Sequence, residues 1–594
     1  MNILGISSYY HDSAACLVRD GEVVAAVQEE RFTRKKHDES FPRNAIRYCL
    51  QSQGVARGGI GAVVFYDKPI DKFVRILKTH FAMAPMSLKA FLVTMPKWVR
   101  KNLWVGLEIS EVLTDLGYEV PESILFTEHH ESHAASAFFP SPFREAAIVT
   151  LDGVGEWPTA TIGVGEDNRI TLLKEHNFPH SVGLLYTAFT YYTGFKVNSD
   201  EYKMMGLAPY GKPRYARRIL DHVVSLNPDG SFRLNMRYFN YLGGLTMTNQ
   251  AFHDLFEAPP RRPESPITQH TMDVARSIQG VTEEIAQRIV GYAHQITGKD
   301  RLCLAGGVAL NCVANGKLLS QGPFREVWVA PAAHDAGAAL GAALTVWHQL
   351  QNRPRQADGV NDTMKGCYLG PEFSPQEIET FLRGEGCDYE VLQAEDWALR
   401  IARLLANGRI VALFQGRMEF GPRALGNRSI LADPRAVDAP ARINKRIKFR
   451  ESFRPFAPAV LEEFANEYFD LIQPSPYMLF TARIVPERRS AAEPDDPAAS
   501  LQERLARERS DIPAVTHLDY SARVQTVSQK RNPKFHQILC AFHQLTGCAV
   551  LINTSLNVRG EPIVCRPQEA YRCFMKTGID HLVLDCYLLT KPGL

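Results

Sequence analysis

Three observations predict an α/β protein of two large domains. Short apolar strands alternate with capped or small-residue helices: Asn2–Ser7, Ala14–Arg19 and Glu22–Gln28 at the start, 301–304 and Glu326–Val329 in the middle, 410–414 beyond. At 594 residues the chain is too long to close around one core. A polar stretch bearing Pro and Gly, WHQLQNRPRQADGVNDTM at 347–364, marks a linker, which places the domains at 1–355 and 365–594.

Composition narrows the function. Hydrophobic residues at 45% and charged residues at 22% fit a soluble globular protein, and a formal charge of +2 argues against a chain built as a whole to bind nucleic acid. The eleven cysteines form no CxxC pair, so they read as core residues in a reducing, cytoplasmic setting and not as a disulfide frame. The opening MNILGISSYY is a strand and lacks the basic and long apolar regions of a signal peptide. No run of eighteen apolar residues occurs, so nothing spans a membrane and no membrane partner is expected.

Taken in order, the first strand runs into the polar turn Tyr9-Tyr10-His11-Asp12-Ser13, and Asp20-Gly21 signals a hairpin between the next two. A strand–turn–strand opening of this kind resembles the phosphate-handling hairpin of actin-like ATPases, in which His11 is either a turn residue or a working group. Arg31, Arg34, Lys35 and Lys36 follow, as a solvated face or as counter-charge to an anion. Residues 70–115 read as packed helices rich in Phe, Trp and Lys. The alternatives for them are an acceptor-binding wall or a subunit contact, as in a homodimer.

The densest chemistry of the first half is HHESHAASAF. His129 and His133 stand four apart, so on a helix both imidazoles share one face, the spacing of two ligands to one metal. Packed or capping histidines are the competing reading. Asp152, followed by Gly153, and Asp335, in Asp335-Ala-Gly337, each end an apolar run. Two imidazoles with two carboxylates suit iron(II), manganese or zinc. The paired glycines of AGGVALN at 305–311, between a strand and a helix, are a nucleotide-contact pattern. The small residues of HDAGAALGAAL then let a helix pack close behind a nucleotide.

The ordered set HDSAA, ERFTRKKHD, HHESHAASAF, DGVGE, EYKMMGLAPYG, GGVALN and DAGAALGAA resembles the O-carbamoyltransferase family, which carbamoylates nodulation factors, cephamycins, aminoglycosides and other antibiotics. The resemblance covers nearly the whole chain. It implies an actin-like (ASKHA) first domain, similar to the tRNA threonylcarbamoylation ATPase, and a YrdC-like second domain. It also implies an iron(II) site at His129, His133, Asp152 and Asp335, a transfer site at His11 and Lys36, and carbamoyladenylate contacts at Gly307 and Asn311.

In the second domain, FSPQEIETFL at 373–382 opens a helix with Ser374 at the N-cap and Pro375 at N1. Between Arg417 and Arg454 stand ten Lys/Arg against four Asp/Glu. These cations are interleaved with Gly-Pro, Phe, Leu and Ile, which favours a folded anion pocket over a solvated face. Residues 485–510, rich in Ala, Glu, Arg and Pro, read as an excursion loop. The resemblance places carbamoyl phosphate and ATP, with Mg2+, at Arg423, Lys448, Arg454, Arg523, Asn553 and Ser555.

That reading gives an ATP-dependent O-carbamoyltransferase, a transferase of one-carbon groups, with two sites. The second domain makes carbamoyladenylate, and the first passes the carbamoyl group to a hydroxyl of a small-molecule natural product with His11 as general base. An unstable intermediate requires the two sites to face one enclosed path. The rivals are a tRNA-modifying enzyme of the threonylcarbamoyladenosine type, disfavoured by the near-neutral charge, and a non-catalytic ATP-switched module, disfavoured by the arginine pocket.

Overall fold

The first three strands form as the alternation predicts, β1 (Asn2–Ser7), β2 (Ala14–Arg19) and β3 (Glu22–Gln28), paired antiparallel in sequence order. They belong to a computed structural model that describes residues 1–490, 499 and 501–593. The chain divides into two units. Unit 1 holds Met1–Glu29 and His37–Thr363, and unit 2 holds Glu30–Lys36 and Met364–Leu594. The short segment 30–36, which the sequence did not set apart, thus counts with the second unit.

Unit 1 repeats one topology twice. In its first sheet, ordered β3-β2-β1-β4-β5, the antiparallel meander is followed by β4 (Ile60–Phe65) and β5 (Ile124–Phe126), both parallel to β1. In the second sheet β6 (Glu145–Leu151), β7 (Pro158–Glu166) and β8 (Arg169–Asn177) form the meander. A separate hairpin, β9 (Val224–Leu226) and β10 (Phe232–Leu234), precedes β11 (Arg301–Ala305) and β12 (Glu326–Val329), which complete the order β12-β11-β6-β7-β8. Each half also has a helix between its third and fourth strands, Arg43–Gln51 and Gln269–Thr297, and a helix after its fifth, His129–Phe138 and Asp335–Thr345. This duplicated sheet is the actin-like architecture expected.

The 29-residue helix Gln269–Thr297 went unread in the sequence, although its stops are conventional. Thr268 caps the start through Thr271 N, and Gly298 takes the left-handed C-cap at φ 62°.

The two helices after the fifth strands pack against each other because one is built of small residues. A Cβ added at Gly341 would lie 1.8 Å from Ser132 O of the histidine helix. One added at Gly5 of β1 would lie 1.9 Å from Ala339 O. The Ala/Gly run of Asp335–Thr345 therefore wedges between β1 and the histidine helix. The sequence reading had set these small residues behind a nucleotide; in the fold they admit neighbouring backbone instead.

Unit 2 is built on one nine-stranded mixed sheet. In chain order its strands are β13 (Glu390–Val391), β14 (Val411–Phe414), β15 (Arg428–Ala432), β16 (Ala457–Leu461) and β17 (Phe480–Arg483). They continue with β18 (Ser521–Val527), β19 (Val550–Ser555), β20 (His581–Leu584) and β21 (Tyr587–Thr590). The spatial order is β13-β21-β20-β14-β15-β19-β16-β18-β17. The core lies between this sheet and helices such as Trp397–Ala406 and Pro533–Thr546. The predicted cap is present: Ser374 and Glu377 form a capping box on Pro375–Gly384.

Of the expected excursion at 485–510, residues 491–498 and 500 lie outside the described residues. The remainder carries more structure than a loop, with a bridge between Arg489 and Ser510 and a helix at Leu501–Ala506. Among the described residues no helix is long and apolar enough to cross a membrane, and all eleven cysteines are free.

The wedge gives a stability prediction. Gly341→Ala should cost about 1–3 kcal/mol, since its methyl group meets backbone that cannot step aside. Gly291→Ala, in the interior of the long helix with nothing within 4 Å, should stabilise by roughly 0.5–1 kcal/mol. Urea unfolding of both variants measures the pair, and equal effects would refute the packing argument.

Candidate active site

The duplicated topology brings four predicted ligands together at the centre of unit 1. The histidine helix supplies His129 and His133, the turn after β6 supplies Asp152, and the first residue of the small-residue helix supplies Asp335. All four are buried, with their ligand atoms within 4.8 Å of one another. His129 Nε2 lies 3.2 Å from His133 Nε2 and 3.0 Å from Asp152 Oδ2, and His133 Nε2 lies 3.5 Å from Asp335 Oδ1. Two imidazole nitrogens facing each other share at most one proton, and Asp335 Oδ1 makes no hydrogen bond. A divalent cation fits this donor set, two nitrogens and two carboxylate oxygens, because it would meet all four at once.

The surroundings hold the ligands in place. Glu156 accepts from the amide N of His129 at 3.1 Å and anchors the start of the helix. Tyr66 O accepts from Ser132 Oγ at 2.9 Å. Gly307 N donates to Asp152 Oδ1 at 2.8 Å, so the glycine loop orients a ligand carboxylate. Gly306, at φ 87°, sits so tightly that a Cβ would come 2.3 Å from Leu151 O. Asn311 caps the helix Cys312–Gln321 and exchanges amide hydrogen bonds with Gln279 at 3.1 Å.

Charge sorts the three histidines of the helix. His130 bonds Thr150 Oγ1 and Pro158 O, and burial, aided by His129, lowers its pKa to about 3. It is a neutral packing residue. Burial also opposes charge on His129, yet the Asp152 hydrogen bond and Asp335 raise its pKa. Burial opposes ionisation of both aspartates, but His129 and His133 hold Asp152 well below the usual carboxylate range, and His11 with His133 brings Asp335 to about 2.

His11 lies in the turn after β1, the counterpart of the Asp152 turn after β6. Its Nδ1 is 3.0 Å from Asp12 Oδ2, while Asp12 Oδ1 is 2.9 Å from His37 Nδ1 and Asp12 Oδ2 is 3.7 Å from His334 Nε2. Asp12, His37 and His334 were missed in the sequence. The sequence holds four His-Asp dipeptides, and the fold alone selects the three, at 11–12, 37–38 and 334–335, that converge. Tyr9 and Asp12 adopt left-handed backbone at φ 77° and 53°, strain of the kind found at working loops. Burial opposes the charged form of His11, but Asp335, Asp12 and Asp152 raise its pKa to about 10.

Lys36, expected beside His11, belongs to the segment of unit 2. There it joins Arg450 and Arg454 in lowering the pKa of buried Lys448, whose chief cause is desolvation. Lys448 Nζ donates to Ser555 O and, at 2.9 Å, to Asn557 Oδ1. Asn553 Nδ2 donates to Gln525 Oε1 at 2.7 Å and to Ala424 O, next to Arg423, at 3.2 Å. Arg523 stands two residues from Gln525, on the same face of β18. Glu451, three residues along from Lys448, is shared by Arg454 at 3.8 Å and Arg559 at 3.4 Å. Such an excess of positive charge suits a polyphosphate anion.

Not every arginine of the basic run serves that pocket. Arg428 is fully buried, donates to Gln415 O, Gly416 O and Pro371 O, and lies 3.6 Å over the Phe414 ring. Arg417 donates to Leu369 O at 2.6 Å. Glu419 accepts from the backbone N of Leu425 and Asn427 and so shapes the loop beside Arg423.

Comparison with known proteins gives the family. The family model for the carbamoyltransferase N-terminus matches residues 2–344, and that for the carbamoyltransferase C-terminus matches 402–591. An uncharacterized Synechocystis protein, sll1178, is 54% identical over 598 aligned positions, covering 100% of this chain and 97% of its own. Nodulation protein NolNO of Sinorhizobium fredii is 39% identical over 98% of this chain and 80% of its own. Nodulation protein NolO of Bradyrhizobium diazoefficiens is 39% identical over 78% of each.

The centre predicts metal dependence. Purified protein saturated with iron(II) should melt higher than the metal-free form, by an increment worth about 2.7 kcal/mol at a hundredfold excess over Kd. The double variant His129→Ala/His133→Ala should lose both the increment and stoichiometric metal while keeping its circular dichroism. Full metal occupancy in that variant would refute the site.

Proposed function

The chain belongs to the carbamoyltransferase family, and from that premise we propose an ATP-dependent O-carbamoyltransferase working in two steps. Unit 2, read as the YrdC-like half, binds carbamoyl phosphate and ATP with Mg2+ through Arg423, Lys448, Arg454, Arg523, Asn553 and Ser555; water cleaves carbamoyl phosphate to carbamate and phosphate, and the carbamate attacks ATP to give carbamoyladenylate and pyrophosphate. Unit 1 transfers the carbamoyl group to a hydroxyl of a small-molecule natural product and releases AMP. Two of the three relatives named above are nodulation proteins. The eleven free cysteines suit a cytoplasmic enzyme.

One observation carries the reading: a buried four-donor centre beside a histidine held by a carboxylate. Iron(II) held by His129, His133, Asp152 and Asp335 would supply Lewis-acid neutralisation of the phosphate leaving group. Asp12 fixes the Nδ1 side of His11, so Nε2 is the nitrogen left to take the acceptor's proton. Two of the three carboxylates that keep His11 protonated are metal ligands. With their charge neutralised, Asp12 alone opposes burial, and the His11 pKa falls toward the range a general base needs.

The two half-reactions separate the roles. Arg423→Ala removes a charge-assisted contact of ~1.5–3 kcal/mol and should cut carbamoyl-phosphate-dependent pyrophosphate release, while transfer from supplied carbamoyladenylate survives. His11→Ala should invert that pattern, with transfer down ~10²–10⁴-fold and pyrophosphate release retained. Equal losses of both half-reactions in both variants would overturn the division of labour.

Asp12→Asn tests the positioning of the base. An amide keeps one acceptor oxygen for the two imidazoles that the carboxylate served and carries no charge to favour the Nδ1–H form of His11. Transfer should fall by about 10²-fold with the acidic limb of its pH profile moved down, because the field raising the His11 pKa is removed. An unchanged profile would mean that Asp12 only packs the loop.

A further inference from the structure

The helices between β4 and β5 present an apolar surface that none of the described residues covers. Leu88–Arg100 is apolar on two sides. Its inner side holds Ala90, Met95 and Trp98, with the Trp98 ring 6.1 Å from Phe73 of the helix Pro69–Ala82. Its outer side carries Leu88, Leu92, Val93 and Val99. Together with Phe81 and Trp104 on the adjoining segments, these side chains are 52–70% exposed. An exposed apolar surface of this size marks a docking face.

Charge identifies what docks there. Residues 72–107 contain seven Lys/Arg and neither Asp nor Glu. Of the seven, Lys78, Lys89, Lys97, Arg100 and Lys101 are exposed around the apolar side chains; Lys97 pairs with Glu39 at 2.7 Å and Lys101 with Glu108 at 3.6 Å, which leaves the excess of charge on Lys78, Lys89 and Arg100. A second copy of this chain on the same face would set one basic rim against another. An anionic lipid surface takes both features at once, the apolar side chains entering the headgroup boundary and the basic rim meeting lipid phosphates. The expectation of no membrane partner came from the lack of a spanning segment, and a helix lying on a surface needs none.

We propose that this helical layer seats the protein on an anionic bilayer surface. The seat adjoins the transfer loop: Tyr9, two residues before His11, bonds Glu108 of the helix Val105–Asp115, and Lys101 lies 5.4 Å over the Tyr9 ring. The proposal stands on exposure and charge, independently of the reaction assigned to the loop.

Co-sedimentation of the full-length protein with vesicles tests it, comparing phosphatidylcholine alone with phosphatidylcholine containing phosphatidylglycerol. Binding to the anionic vesicles is expected, weakened by salt. The variant Leu92→Glu/Val93→Glu should abolish it, and Lys89→Glu/Arg100→Glu should reduce it by more than roughly tenfold. Both variants change exposed positions, and unaltered melting and pyrophosphate release would show that each remains folded. Equal binding to both vesicle types, or none to either, would overturn the proposal. So would a concentration-dependent dimer in analytical ultracentrifugation that Leu92→Glu/Val93→Glu dissociates, for then a second copy covers the face.

Discussion

The close approach of two helices sets the rest of unit 1. Asp335 faces His133 across 3.5 Å because Asp335–Thr345 carries glycine and alanine where it meets the histidine helix and β1. Side chains of ordinary size there would hold the helices 8–10 Å apart at their axes and draw the carboxylate away from the imidazoles. Small residues here do the work that large ones do in a core: they let backbone meet backbone, so the two donor sets are fixed by secondary structure and not by loops.

Duplication explains why the donors converge. Each half of unit 1 ends its first strand in a polar turn and follows its fifth strand with a helix. The turns contribute His11-Asp12 from one half and Asp152 from the other, and the helices contribute the histidine pair and Asp335. Burying four titratable groups together is costly unless opposite charges compensate, and here two carboxylates meet two imidazoles. Asp12 extends the compensation by taking His11 and His37 on its two oxygens. The protonation of His11 thus depends on the charge of Asp12, Asp152 and Asp335 beside it.

Much of this was legible in the sequence, where local chemistry dictates local structure. The strands β1 to β3, the histidine helix and the Ser374 cap follow from alternation, spacing and capping residues, all short-range signals. The pairing of His129 and His133 was legible because residues four apart on a helix carry their own geometry. Asp12, His37 and His334 were not, since only the tertiary fold brings 11–12, 37–38 and 334–335 together. The segment 30–36 shows the same limit: its cations were visible, but its membership of unit 2 depends on Arg31 donating to Gly421 O at 2.7 Å and Arg34 to Ile563 O at 2.7 Å.

The basic run of unit 2 shows why counting charges is a blunt guide. Arg428, Arg417 and Arg435 look equivalent to Arg423 and Arg454 in a list of residues, yet their guanidinium groups are committed elsewhere. Arg428 ties the backbone carbonyls of 415, 416 and 371 together, Arg417 holds that of Leu369, and Arg435 pairs with Asp433 at 2.7 Å. Five donors in a fixed fork make arginine as good at organising carbonyl oxygens as at holding phosphate. Lys448 lies where burial and its cationic neighbours Arg450, Arg454 and Lys36 disfavour its own charge. A bound anion would relieve such repulsion, so crowded cations favour an anionic ligand as much as hydrogen bonds do.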